Sequence, residues 1–378
     1  MRSVLFYLHQ YPAFGGIETV TAVIASALRS LGYEVAILSH VSKAMPSLLE
    51  VANGIPVYKM PDVDFTTTKN RNYLSMLVRE KDVGLVVFQD SYAPVEKNMR
   101  DLPREVNLLV CEHNSPFWAT PFVRKNNSVV VEALRYIVYL KNRIRSNRQL
   151  ARRRFLYEQA WRYAVLSDRY YGEFRAVTGL SDIRKLMTLH NPLPCDVGYD
   201  GGKKNEIVFV GTLDYRKGCD FLPFLFQELS KQLSGWCYTV VGDGPARASV
   251  EARLAGMKQV RFLGYQKNPI ECYRSARILL APSRREGWPM VLLEAMSKGC
   301  VPVCFDSYSA VRDVLGDSER GLVVPVYDLN EMVRRIVALA RNPQMLLKMS
   351  AKGMNYVDRF TVGNIMREWI PLVEEACR

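Results

Sequence analysis

The sequence predicts an α/β fold built from two doubly wound parallel halves joined near residue 200. Three observations carry that expectation. The first forty residues read as strand, glycine turn, helix and strand. Between residues 190 and 205 the composition turns to Pro, Gly, Asn and charge, and at 206 the same rhythm restarts.

Taken in order, SVLFYL (3–8) is an apolar strand followed by a loop with Gly15-Gly16. IETVTAVIASALRSLG has helical spacing and stops at Gly32, and YEVAILSH is the next strand. GLVVFQD (84–90), NLLVCEH (107–113) and AVLSD (164–168) extend the first half as buried strands. HNPLPCDVGYDGGKKN reads as a linker. Beyond it, EIVFVG (206–211), YTVVGDG, VRFLG, ARILLAPS, CVPVCF and GLVVP supply the strands of the second half. The expected domains are 1–195 and 203–359. Sheets of this kind bind ligands beyond the carboxyl ends of their strands, so a cleft between the halves is expected.

Composition narrows the class. A chain of 378 residues with 48% hydrophobic and 24% charged residues is globular rather than disordered. Its eight cysteines include no CxxC pair, which points to reduced thiols rather than a disulfide or zinc framework. The four histidines are dispersed, so no metal cluster is expected. The first apolar run is too short for a signal-peptide core, and no later run approaches a membrane span. The expectation is a cytoplasmic protein. A formal charge of +13 favours a polyanion or an anionic membrane as a partner.

The stretch REGWPMVLLEAMSKG (285–299) holds the chemistry. Pro289 suits the first turn of a helix and Gly299 its end, so a helix is expected from Pro289 to about Lys298. Glu286 then stands in front of the helix N-terminus and Glu294 about a turn and a half inside it. Between them, first-turn N–H groups at the positive end of the helix make an anion site. Two hydroxyl acceptors around a phosphate cradle suit a nucleotide-sugar; the alternative is a helix cap plus a surface carboxylate, against which the apolar VLL before Glu294 argues. In FVGTLDYRKGCDF, Arg216 and Lys217 can pair with a diphosphate, or be a solvated basic turn. Gly242 in VGDGP and the Gly15-Gly16 turn could admit a close phosphate, or be simple turns. His113 in CEHNSP ends a strand on the expected ligand side, or is a satisfied structural histidine.

Together these segments resemble glycosyltransferase family 4, the retaining "group 1" glycosyltransferases. EGWPMVLLEAM is similar to that family's Glu-x7-Glu signature and VGTLDYRKG to its phosphate-binding stretch. VVGDGP and GGIETV are similar to its glycine loops, and CEHNSP and HNP fall in the expected order. The resemblance implies a GT-B fold, two Rossmann-like domains facing each other across a cleft, with a closing helix at 360–378 packing back on the first. It implies catalysis without a metal or resident cofactor, the nucleotide-sugar being a co-substrate. Carried over, Glu286 would hold the donor sugar's hydroxyls and Glu294 the ribose. Lys217, helped by Arg216, would stabilise the leaving diphosphate, and His113 would contact the sugar. Gly15, Gly16, Gly242, Gly287, Trp288, Met290 and Val291 would complete the donor site. One departure stands out: Thr212 occupies a place where many members carry arginine.

The acceptor side holds one unusual run. Residues 135–154, RYIVYLKNRIRSNRQLARRR, contain eight basic and no acidic residues. Ile137, Leu140, Ile144, Ala151 and Phe155 fall on one helical stripe. Arg143, Arg145, Arg152, Arg153 and Arg154 would then face an anionic membrane, or belong to a solvated helix face. No motif supports nucleic-acid binding. The expectation is a retaining hexosyltransferase at the inner face of the membrane, moving sugar from a UDP-sugar to a glycan that is lipid-linked. A nicotinamide-dependent oxidoreductase would need a complete glycine fingerprint, which is absent. A non-catalytic polyanion-binding protein would leave the two glutamates without a purpose.

Overall fold

The computed structural model describes residues 2–13, 15–42, 54–65, 67–90, 95–116, 147–199 and 202–378. They form two compact units, Met1–Pro192 with Ile365–Arg378, and Leu193–Asn364. Each is a parallel sheet of the doubly wound, Rossmann-like kind.

Unit 1 contains β1 (Ser3–Gln10), β2 (Val35–Val41), β3 (Val57–Lys59), β4 (Val83–Asp90), β5 (Asn107–Glu112), β6 (Arg162–Val165) and β7 (Leu186–Thr188). Their order is β3-β2-β1-β4-β5-β6-β7, so the winding reverses between β1 and β4. Phe6 on β1 lies opposite Ile37 on one side and Val87 on the other. Val4 through Leu8 are at most 2% exposed, as a strand covered on both faces requires. The helix Gly16–Ser30 buries Val20, Ile24 and Leu28, four residues apart on one face. The last helix, Val362–Ala376, belongs to the same core, with Trp369 against Phe6 at 6.1 Å between ring centroids. The edge strands β3 and β7 have three residues each, too short to show a period in the sequence.

Unit 2 contains β8 (Lys204–Val210), β9 (Cys237–Val241), β10 (Val260–Gly264), β11 (Ala276–Ala281), β12 (Val301–Phe305) and β13 (Leu322–Val324). The order β10-β9-β8-β11-β12-β13 places its reversal between β8 and β11. Ile207, Phe209, Ile278, Leu280 and Phe305 form its core with Leu225, Phe226 and Ile336 from the covering helices. The stretch read as a linker is held down in its described part. The Gly198 N–H donates to the Ser297 carbonyl at 2.8 Å, and the buried Lys298 Nζ donates to the Asp196 carbonyl at 2.6 Å. Lys203 Nζ donates to the carbonyls of Tyr273, Ala276 and Lys298 at 2.8, 2.9 and 2.6 Å. A buried ammonium needs such acceptors, and burial still pulls the Lys203 pKa down to about 8.

The basic run requires a correction. Arg143 and Arg145 lie outside the described residues. Of the expected stripe, Ile137, Leu140 and Ile144 also lie outside the described residues; in the helical stretch 147–159 Ala151 is exposed and Phe155 half-buried, while Arg153, Leu156 and Tyr157 are buried. Arg153, expected at a membrane surface, is 6% exposed. Its Nε donates to Glu112 Oε1 at 2.6 Å and its Nη1 to the Pro116 carbonyl at 2.8 Å. The other oxygen of Glu112 accepts from the Tyr163 hydroxyl at 2.8 Å. Glu112 closes a buried strand, and its charge is matched by a guanidinium that cannot shed its proton. Arg154 is exposed, with its Nε donating to the Thr178 carbonyl, and Arg152 is half-buried. Removing one partner of a buried pair strands the other's charge. Arg153→Met should therefore cost about 3 kcal/mol in urea unfolding. A residue on a solvated face would change stability by less than about 0.5 kcal/mol, and that outcome would restore the surface reading.

Candidate active site

The best-built group of functional side chains lies in unit 2, in the loops after β8 and β11 at the reversal point of the sheet. The β8 loop, Gly211 to Gly218, turns on Asp214, whose Oδ1 accepts the Lys217 N–H at 2.8 Å. This local bond sends Arg216 and Lys217 out side by side. Gly218 has φ +71°, and a Cβ there would stand 2.1 Å from the Pro282 carbonyl oxygen. Only glycine lets the β8 loop approach the β11 loop so closely. The Arg284 N–H then donates to the Arg216 carbonyl at 2.8 Å and ties the loops together.

Glu286 is the group both loops enclose. Its side chain is 10% exposed, with Lys217 Nζ 2.7 Å from Oε1 and Arg216 Nη1 3.1 Å from Oε2. Arg216 also lies 3.7 Å from Asp214. A carboxylate between two cations is a preorganised cluster, because each charge holds its opposite in place. The helix follows as expected: it spans Met290–Ser297 with Pro289 before it, and Gly299 beyond its end has φ +66°. Of the two N–H groups expected to face phosphates, that of Met290 is engaged with the Trp288 carbonyl at 2.9 Å, so the pair narrows to Val291. Trp288 is 6% exposed and packs edge-on against Phe360 at 5.7 Å, a core contact rather than an open binding face. Gly287 sits between Glu286 and this indole. Glu294 is half-buried and accepts from the Tyr273 hydroxyl at 3.1 Å. Burial raises its carboxyl above the usual range, opposed by the Tyr273 bond and the charge of Lys217.

Gly242 is needed for packing. At φ +129°, a Cβ on it would fall 2.0 Å from the Gly211 carbonyl oxygen, and the Leu213 N–H donates to the Asp243 carbonyl at 2.9 Å. The glycines of VGDGP therefore let one loop lie on the other. Tyr273 and Asp214 were missed from sequence. The Asp-x-x-Lys spacing was a legible turn signal for Asp214, whereas nothing local marks a tyrosine from the helix Ile270–Ser275 as a partner of Glu294.

Gly15, Gly16 and His113 lie in unit 1. A Cβ on Gly15 would meet Glu18 Oε2 at 2.0 Å, because Glu18 folds back over the helix N-terminus and accepts from Gln10 Nε2 at 3.0 Å. The protein's own carboxylate thus sits where a phosphate was expected, and a phosphate at Gly15 would meet like charge. Space around Gly16 is open. His113 Nε2 is hydrogen-bonded to Gln89 Oε1, and its Nδ1 is buried without a partner. Gln89, Glu112, His113, His190 and Asn191 line one small cavity.

Burial pushes the His113 pKa down to about 4, so the ring is neutral near pH 7. The unfolded imidazole, with an ordinary value of 6.5, takes up its proton at higher pH than the folded one. His113 therefore contributes instability that grows as pH falls from about 6.5 through about 4. His113→Gln should flatten that part of the stability profile, read by urea unfolding at pH 7 and pH 5. An unchanged difference would show that the ring is not held neutral.

Residues 200–356 match the family model described as glycosyl transferases group 1. An uncharacterized glycosyltransferase of Haemophilus influenzae is 24% identical over 98% of this chain and 99% of its own. The GalNAc-alpha-(1->4)-GalNAc-alpha-(1->3)-diNAcBac-PP-undecaprenol alpha-1,4-N-acetyl-D-galactosaminyltransferase of Campylobacter jejuni is 23% identical over 58% of this chain and 65% of its own. Among solved structures, a Staphylococcus aureus TarM mutant in complex with fondaparinux, alpha-GlcNAc-glycerol and UDP has TM-score 0.75 at 11% identity, over 99% of this chain and 100% of that one. Residues 200–356 are thus similar to the glycosyl transferases group 1, and the chain shares the GT-B fold of the solved structure.

Proposed function

We propose that the chain is a retaining hexosyltransferase that takes its sugar from a UDP-sugar and adds it to a lipid-linked glycan in cell-surface polysaccharide synthesis. The observation that carries this reading is the Glu286 carboxylate held by Arg216 and Lys217 in front of the helix Met290–Ser297. A diphosphate entering here competes with Glu286 for its two cations. Once Lys217 turns to the leaving phosphate, the oxygens of Glu286 accept hydroxyls of the donor sugar. Glu294, oriented by Tyr273, accepts from the ribose.

In the proposed reaction Lys217 and Arg216 stabilise the charge that develops as the nucleotide departs, the task a metal performs in other transferases. The acceptor hydroxyl attacks the face the diphosphate leaves, and a phosphate oxygen takes its proton. UDP is favoured by the TarM complex, and a lipid-linked acceptor by the Campylobacter relative. Among the described residues no helix is long and apolar enough to cross a membrane. We place the enzyme at the inner membrane face, held there electrostatically by its basic excess of +13.

Donor hydrolysis with a panel of UDP- and GDP-sugars tests the reading. Glu286→Gln should lose at least ~2 kcal/mol of transition-state stabilisation, the scale of a charge-assisted hydrogen bond. Lys217→Ala should slow transfer roughly 100-fold. Near wild-type turnover in both folded variants would move the donor site elsewhere. Co-sedimentation with anionic but not neutral liposomes, reversed by high salt, is the expected result for the membrane. Equal binding to both would remove the electrostatic attachment.

A further inference from the structure

Beside the carboxylate-and-cation cluster, unit 2 carries an aromatic group that the donor site does not use. Arg284 is its floor. The residue is 5% exposed; its Nη1 donates to the Tyr215 carbonyl at 2.5 Å and to Asp220 Oδ1 at 2.7 Å, and its Nη2 to Asp220 Oδ2 at 2.9 Å. A guanidinium matched in this bidentate way has little to offer an outside anion. Its flat faces instead support rings: the guanidinium carbon lies 3.6 Å from the Tyr215 centroid, 4.1 Å from Phe221 and 5.7 Å from Tyr327. Phe305 closes the group from beneath, edge-on to Tyr327 at 5.7 Å.

The two outer rings remain in contact with solvent. Tyr215 is 38% and Tyr327 is 44% exposed, with Val326 beside them at 48%. Tyr327 also stands at φ +62°, a region that suits glycine and strains a bulky side chain. The other described non-glycine residues with positive φ are Asp82 and Ser318, both small and polar. The fold thus keeps a large ring where its backbone favours none. Burial raises the Tyr327 phenol, opposed by the charges of Arg284 and Arg285, and both tyrosine rings lie against the Arg284 guanidinium.

This surface is tied to the donor cluster through the backbone. Tyr215 directly precedes Arg216, and the Arg284 N–H is bonded to the Arg216 carbonyl two residues before Glu286. Flat rings with phenol edges fit a pyranose, whose C–H face packs on an aromatic ring while its hydroxyls reach polar edges. Arg284, with its donors already matched, offers an anion little.

We propose that Tyr215 and Tyr327 form a saccharide-stacking subsite in unit 2 that takes a hexose ring of the glycan acceptor next to the donor sugar. The subsite rests on the glycosyl-transfer reading above. Tyr327→Gly separates its causes, because glycine relieves the φ strain while removing the ring; Tyr327→Phe keeps the ring. Binding of methyl α- and β-glycosides of glucose, galactose, N-acetylglucosamine and N-acetylgalactosamine is followed by saturation-transfer NMR with UDP present. The expected result is about a tenfold loss of saccharide affinity in Tyr327→Gly. Tyr327→Phe and the UDP affinity of both variants should stay within about twofold of wild type, the retained UDP binding showing that Tyr327→Gly is folded. Wild-type saccharide affinity in Tyr327→Gly, or UDP binding by the wild type with no glycoside bound, overturns the subsite. Failure of the wild type to bind UDP instead overturns the donor reading, and the subsite falls with it.

Discussion

The arrangement of unit 2 depends on one ionic constraint: the Glu286 carboxylate is shared by Lys217 and Arg216. The two cations come from the loop after β8 and the carboxylate from the loop after β11, strands that are neighbours only because the sheet winds outward both ways from this pair. Loops that close must be backbone against backbone, and Gly218 and Gly242 are the places where a side chain would collide. Asp214 then fixes the turn that presents the cations, and Arg284 with Asp220 locks the second loop onto the first. Each device has its own cause, yet all serve the same approach. Burial raises the value of the cluster, since charges at 10 to 14% exposure are poorly screened.

A cluster matched this closely resists the entry of an anion unless something is exchanged. In the proposed reaction a diphosphate would gain Lys217 and Arg216 only by loosening them from Glu286, and the loosened carboxylate would become an acceptor for sugar hydroxyls. Binding of one half of the donor would thus prepare the site for the other. The same logic separates the anion site expected at the unit 2 helix from the Gly15-Gly16 turn, where a close phosphate or a simple turn was open. In unit 1 Glu18 already lies across Gly15, a carboxylate supplied by the chain itself. In unit 2 the carboxylate stands ahead of the helix, between cations that can be drawn away.

The long apolar strands were legible because burial on both faces leaves a continuous hydrophobic run, as in Val4–Leu8 and Ile278–Ala281. The helix from Met290 was legible from Pro289 and Gly299, residues whose backbone preferences are local. β3 and β7 were not, since three-residue edge strands are specified by the neighbour they pair with. Charge was the least legible property. Arg153 lies in a run of eight basic residues, and nothing in that run reveals that Glu112, 41 positions earlier, waits at the end of a buried strand. Tyr273 and Glu294 make the same point. A polar partner distant in sequence leaves no periodic trace, so pairings that cross the fold had to come from the structure.

The most direct test of the account is a crystal structure of the chain with UDP bound. The account predicts β-phosphate oxygens within hydrogen-bonding distance of Lys217 Nζ, and a Lys217–Glu286 separation longer than 2.7 Å. UDP bound elsewhere, with that ion pair unchanged at 2.7 Å, would contradict it.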